Sequence, residues 1–418
     1  MSGPTPVGLT SEGAQRRSRG GKPVSNEPGA KRRKVLQQVT EQAMLWGVGT
    51  SAYGRFPEQR VESLAWTAIA EAVRDAGIRP DEIEAIVVGS VFGPPGVATR
   101  IQRGLGIPGV PMWTIENACA SGTSAYHEAV EAVRVGRFRC VLVLGVEQMS
   151  TLFSGAIVPE ATDPEGAASL PLPGLYALQA QRYVGEFGVT PEQLAAVAVK
   201  NKRNGMDNPR AQLRTSVPTV QEVLDSRMIA EPLTFLQCCP TSDGAGAAIV
   251  GVDRGEQNDL RIEASAMVSG ALWDHRSDDV WGFASVARAA ALAFEQADRT
   301  PQEIDVLEVH DAFTIGEIIT LEALGIAPRG KGAELAASGH TARDGAQPVN
   351  PSGGLLSRGH PLGATGMAQL AEIAWQLRGV AGDRQVARHR VGLVETMGGG
   401  AAGMDGNACV VTILSVQP

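Results

Sequence analysis

Three residues recur at a single spacing: Ala76, Pro80 and Ile83 reappear as Ala297, Pro301 and Ile304, each displaced by 221 positions. In both copies an Ala-rich helix leads to a short Pro turn and then to an Ile-containing strand. In the first copy, Leu64 to Gly77, the residues Ala65, Ile69, Ala72, Val73 and Ala76 share one helical face, with Glu71, Arg74 and Asp75 opposite. The run AMLWGVGTSAYGRF, from about Gln42, and the runs AIVVGSV and CVLVLGVE read as buried strands. The helix after Cys119 and the strand that follows it have counterparts in Gly363 to Arg378 and in HRVGLVETMGGG. Strands alternating with helices, written twice, predict an α/β fold of two duplicated halves around a largely buried sheet. The halves fall at residues 41–257 and 258–418. Residues 150–237 do not fit the repeat and read as an insertion into the first half. This insertion holds the loop PEGAASLPLPG, a helix around Tyr176 to Phe187, and a second helix, TPEQLAAVAVKNKRNG, opened by Thr190 with Glu192 nearby.

Composition narrows the class. With 418 residues, 43% hydrophobic and 20% charged, the chain can bury large cores. It shows no apolar run of bilayer length and no signal-peptide core, and SVQP is not a peroxisomal address, so a cytoplasmic, non-membrane protein is expected. The net charge of −8 is uneven: residues 1–40 carry eight Lys/Arg against two Asp/Glu, and the remainder 29 against 43. That basic segment has too few apolar residues to pack and is expected to be a disordered, solvated tail. The acidic body argues against nucleic-acid binding. Five cysteines without a CxxC pair indicate neither a disulfide framework nor a metal ribbon, and no metal is expected. Cys140 and Cys409 lie in apolar runs, and Cys238 and Cys239 read as buried thiols at a strand entrance.

Chemistry concentrates in Asn350 to Gly366, NPSGGLLSRGHPLGATG. Gly353 and Gly354 let the backbone pass close to a ligand, and Pro361 holds His360 on a loop at the mouth of a helix. Cys119 lies at a strand-to-helix junction, where free N–H groups and the helix dipole favour a thiolate. His310 follows a strand in EVHDAFT, and Asp311 would fix its loop. His127, His275, His340 and His389 have no such setting.

The GHP stretch, the ENACASG junction and HDAF closely resemble the signatures of the thiolase superfamily, nearest the sterol-carrier-protein type, over residues 42 to 416. The resemblance implies a layered αβαβα sandwich and an enzyme that acts on coenzyme A thioesters without a tightly bound cofactor. It implies Cys119 as acyl-accepting nucleophile, with His310 and His360 binding the thioester oxygen and His360 also orienting or deprotonating the thiol. The N–H groups of Gly399 and Cys119 would form a second oxyanion hole. Met397, Asn350, Gly353 and Gly354 would line the substrate, and Lys200 and Arg203 of the inserted loop domain would meet the nucleotide phosphates. The family's second cysteine, in a CxG element, is replaced by Met397-Gly398-Gly399. Some relatives have it instead in HDCF, where this chain has Ala312.

An acyltransferase is therefore expected, making or breaking a C–C bond through a Cys119 acyl-enzyme as a homodimer or dimer of dimers. Decarboxylative condensation needs no catalytic base and is one alternative. Another is a thiolase-fold retro-aldolase with an OB-fold accessory subunit, which needs a phenol or histidine base. The four tyrosines (Tyr53, Tyr126, Tyr176, Tyr183) all lie outside the C-terminal half. A non-catalytic scaffold is the remaining alternative.

Overall fold

The computed structural model describes residues 41–417 except 108, 274, 275, 277, 278 and 400–402, so the basic tail and His275 lie outside the described residues. The first half runs β1 (Ala43–Thr50), α1 (Val61–Ala76), β2 (Ala85–Gly89), α2 (Val97–Leu105), β3 (Met112–Ile115), α3 (Ser121–Arg134) and β4 (Cys140–Gln148). The chain then leaves the sheet for α4 (Leu172–Phe187) and α5 (Pro191–Met206) and returns along β5 (Asp243–Val252). The second half runs β6 (Leu260–Val268), α6 (Phe283–Ala297), β7 (Val306–Glu308), α7 (Thr314–Ala323), α8 (Leu362–Leu377), β8 (Val391–Met397) and β9 (Cys409–Ser415).

The duplicated plan is visible in how the equivalent helices stop. α1 ends on Gly77 at φ 66° and α6 on Asp298 at φ 52°, both left-handed. Each stop leads into a short 3-10 turn, Pro80–Glu82 or Pro301–Glu303. There a glutamate reaches back to a backbone N–H: Glu82 accepts from Arg79 at 2.8 Å and Glu303 from Thr300 at 2.7 Å.

The strands are ordered β3-β2-β4-β5-β1-β6-β9-β8-β7. Two half-sheets are joined edge to edge through only Met44–Arg261 and Leu45–Leu260 of β1 and β6. β2 runs parallel to β3 and β4, as β7 does to β8. The strand that would match β3 is reduced to one parallel bridge, Leu307–Val349. α1 covers β1 and β5, α6 covers β6 and β9, and α3 and α8 lie between the half-sheets. Every residue of α8 is buried except the partly exposed Trp375, as a helix covered on all sides requires. Its polar residues are paired: Gln369 with Thr396 at 2.7 Å, and Glu372 with Arg384 at 3.0 Å. Where α8 meets α3, a Cβ on Gly122 would lie 2.4 Å from the Gly363 carbonyl, so the two central helices touch through backbone at their N-terminal turns.

The basic end of the insertion is packed into the protein. Thr190 caps α5 with Gln193, not Glu192, as its partner. The far end of α5 is buried: Lys200 donates to Glu317 at 2.6 Å and to the Val349 carbonyl at 3.0 Å. Asn201 reaches Asp311 at 2.7 Å, and Lys202 is held on the Leu356 carbonyl.

Candidate active site

Cys119 sits where β3 has ended and α3 is about to begin. Ala118 before it is held at φ 48°, a conformation that non-glycine residues seldom adopt. Ser121 fixes this bend: its Oγ accepts from the Asn117 N–H at 2.9 Å and donates to the Ala118 carbonyl at 2.6 Å. His360 holds the matching position before α8, 241 residues on, and its Nε2 lies 3.3 Å from the Cys119 Sγ. Contact of the two helix starts at Gly122 and Gly363 thus brings the Cys119 thiol and the His360 imidazole together.

The tautomer follows from the hydroxyl of Thr365. That hydroxyl donates its one proton to the Pro361 carbonyl at 3.0 Å and accepts from the His360 Nδ1–H at 2.7 Å. Nε2 is left with a free lone pair facing the sulfur. Burial pushes the Cys119 thiol up to about 12, against a smaller opposing pull from the Gly399 N–H. Burial, then His310 and Arg358, hold His360 well below its ordinary value. The resting pair is therefore thiol and neutral imidazole. The thiolate expected from the helix dipole is not the ground state, because desolvation outweighs a terminal dipole worth about 0.3–2 kcal/mol.

His310 follows β7, and its N–H donates to Glu395 at 3.0 Å. Its ring lies 5.1 Å from that of His360 at 73°. Its Nε2 is buried with no hydrogen-bond partner among the described residues, and burial pushes it down to about 3. One ligand atom each from Cys119, His310 and His360 lies within 4.8 Å of the others. A soft cation accepts such donors, but it would have to break the thiol–imidazole hydrogen bond. An unpaired histidine nitrogen beside a thiol is suited to hold a carbonyl oxygen while sulfur attacks its carbon.

The three groups open into a cavity of about 340 Å³ that Gly399 also lines. Its walls are mainly apolar, including Met149, Ile157, Leu172, Tyr176 and Phe313, with Arg55 and Arg227 among its polar residues.

Several residues expected at the substrate are placed elsewhere. Asn350 is fully buried; its side chain accepts from Val309 N–H at 2.9 Å and donates to Glu317 at 2.9 Å, so it braces the His310 loop. Gly353 and Gly354 make room for protein, not ligand. A Cβ on Gly353 would lie 2.6 Å from the Gly205 backbone, and one on Gly354 2.2 Å from the Asp311 carboxylate. Lys200 is neutralised by Glu317, and Arg203 is exposed on α5 away from the cavity. Met397 is buried on β8 opposite Cys409 and faces a small recess behind His310, outside the main cavity. Asp311 does fix its loop, accepting from the Leu355 N–H at 2.7 Å.

The cavity also holds residues that motif reading did not place there. Cys238 and Cys239 line it, and so does Tyr176, which packs on Phe313 at 4.4 Å and on Trp281 at 5.3 Å. A phenol therefore stands beside the histidines although no tyrosine lies in the C-terminal half. The vicinal thiols just ahead of PTSDGAG were the available signal, since that run returns to the sheet as β5.

Residues 46–253 match the thiolase N-terminal domain family and residues 269–412 the thiolase C-terminal domain-like family. The chain belongs to the thiolase family of acyltransferases. It is 38% identical over 365 residues to the acetyl-CoA acetyltransferase of Methanothermobacter thermautotrophicus, covering 84% of this chain and 95% of that protein. It is 37% identical over 380 residues to sterol carrier protein 2 of Gallus gallus, covering 85% of this chain and 69% of that protein. Among solved structures, the Ltp2-ChsH2(DUF35) aldolase superposes with a TM-score of 0.77 over 90% of this chain and 98% of that chain; at 23% identity this likeness concerns the fold. The thiolase fold thus has both half-sheets in this chain, and no described helix is long and apolar enough to cross a membrane.

Proposed function

We propose that the protein is a coenzyme A-dependent C-acyltransferase working through a Cys119 acyl-enzyme. The observation that carries this reading is the 3.3 Å contact between the Cys119 Sγ and the unprotonated His360 Nε2, beside the unpartnered His310 Nε2. The sulfur attacks a thioester carbonyl as its proton passes to His360. The protonated His360 and the His310 Nε2–H hold the developing oxyanion, and the leaving coenzyme A sulfur takes the proton back. The acyl group stays on Cys119, its oxygen between the Cys119 and Gly399 N–H groups. It then passes to the α-carbon of a second thioester or, in the reverse sense, to coenzyme A. With Lys200 engaged, Arg55 and Arg227 of the cavity are the cations available to the nucleotide phosphates. The apolar walls suit an acyl chain. A homodimer in the cytoplasm is the working form we assign.

Thiolase-type transfer through an acyl-enzyme has a ping-pong signature. Labelled coenzyme A should exchange into acetyl-CoA without a second acceptor, and Cys119→Ala should abolish that exchange. Exchange that persists in Cys119→Ala would refute the mechanism.

One observation favours a second reading, cleavage of a β-hydroxyacyl thioester with an OB-fold partner: the Tyr176 phenol shares the cavity. Burial raises that phenol well above its ordinary value, so it is equipped to donate a proton and poorly equipped to remove one. An aldol cleavage would release an aldehyde or ketone without acylating Cys119.

A further inference from the structure

Moving an acyl group onto or off a carbon requires a second proton carrier. When the Cα–Cβ bond of a β-ketoacyl thioester breaks, its electron pair stays on Cα and must receive a proton. When the bond forms, that proton must first be removed. His360 is occupied with the Cys119 sulfur, and Met397 and Ala312 carry no transferable proton. Asp311 and Glu395 are turned into the protein, on Leu355 N–H and His310 N–H.

We propose that Cys239 is this proton carrier. The placement follows from how residues 238–241 are stitched between the two histidine loops. Cys238 bridges to Phe313 and Thr241 to His360, and the Cys239 N–H donates to the Ala312 carbonyl at 2.9 Å. Its side chain lines the same cavity as Cys119, His310 and His360 and is partly accessible from it. The two vicinal thiols are not equivalent. The Cys238 Sγ donates to the Thr234 carbonyl at 3.3 Å, which ties it to its own turn, whereas no hydrogen bond holds the Cys239 thiol among the described residues.

Electrostatics support the role. Burial, with Cys238, Cys119 and Asp311, keeps Cys239 protonated at rest, so it is loaded as an acid. The buried ammonium of Lys202, on the Leu356 carbonyl, is within electrostatic reach of Cys239 and favours the thiolate once the proton has gone. In cleavage, Cys119 attacks the β-carbonyl, the Cα–Cβ bond breaks, and Cα takes the Cys239 S–H proton. The Cys239 thiolate then removes the proton of the incoming coenzyme A thiol as that sulfur attacks the acyl-Cys119 carbonyl. Two thioesters leave and Cys239 is protonated again. Condensation is the same sequence reversed.

This inference rests on the acyl-enzyme reading, and one experiment separates them. Two readouts are followed in wild type, Cys239→Ala, Cys239→Ser and Tyr176→Phe: acylation of Cys119 by acetyl-CoA, and cleavage of acetoacetyl-CoA by coenzyme A. In wild type, deuterium from D2O should also enter the released acetyl group. Both Cys239 variants should acylate Cys119 within a few-fold of wild type and lose cleavage by about 10²–10⁴-fold. Tyr176→Phe keeps the ring against Phe313 and removes only the phenol hydroxyl, so its cleavage should stay far above that of either Cys239 variant. Unimpaired cleavage in either Cys239 variant overturns the assignment, as does loss of acylation together with cleavage in both, which would mark a packing role. Loss of cleavage in Tyr176→Phe alone moves the proton to the phenol and also overturns it. Wild type that never acylates Cys119 would instead refute the underlying reading.

Discussion

His310 and His360 are poised by what surrounds them more than by what they are. Each is buried among groups that disfavour its cation, and each meets the cavity as a neutral ring. This has a consequence for stability. The His310 imidazole is pushed down to about 3 in the folded protein, whereas in the unfolded chain it titrates near its ordinary value of 6.5. A depressed folded value means that its contribution is fully present above 6.5 and is lost as the pH falls toward 3. His310→Asn should therefore flatten the acid limb of a denaturant-midpoint profile between pH 6.5 and 4, with about one proton fewer taken up on unfolding in that window. An unchanged slope would mean that His310 does not titrate as its burial dictates. At this scale the meeting of Cys119, His310 and His360 at one cavity was legible, because each lies within a motif that also determines its backbone. Tyr176 and Cys239 were not, because their chemistry depends on which loop they face, and no local spacing records that.

Equivalent elements share a construction rule. Glu147 lies near the end of β4 and Glu395 near the end of β8, both fully buried and both pushed up to about 7 by burial. Glu147 accepts from Ser90 Oγ at 2.6 Å and Val91 N–H at 2.9 Å; Glu395 accepts from His310 N–H at 3.0 Å. Each carboxylate thus props the loop beyond a neighbouring strand. α5 misled the sequence reading for a related reason. Its charges look like a solvated or phosphate-facing end, but Lys200 is 7% exposed and paired with a fully buried Glu317. Removing one partner of a buried pair leaves an uncompensated charge. Lys200→Met should lower the unfolding free energy by roughly 3–5 kcal/mol in chemical denaturation. A variant of wild-type stability with weakened coenzyme A binding would restore the phosphate-binding role.

The whole molecule explains why two distant motifs make one site. Duplication places Cys119 and His360 at matching positions before the two central helices, and the helix starts meet at Gly122 and Gly363. The 221-residue repeat made this architecture legible, since it fixed the order of helix, turn and strand in each half. The join of the half-sheets through β1 and β6 left no trace in the sequence, because it uses two backbone pairs and no special residue. Nor did the cavity wall, which the insertion brings back over the site from within the first half. Every step assigned to this architecture passes through one covalent state. Intact-mass measurement after brief mixing with acetyl-CoA, followed by peptide mapping, tests that state directly. The account predicts one acetyl group per chain, located on Cys119 and absent in Cys119→Ala; turnover with no acyl adduct at any time, or an adduct that survives in Cys119→Ala, would contradict it.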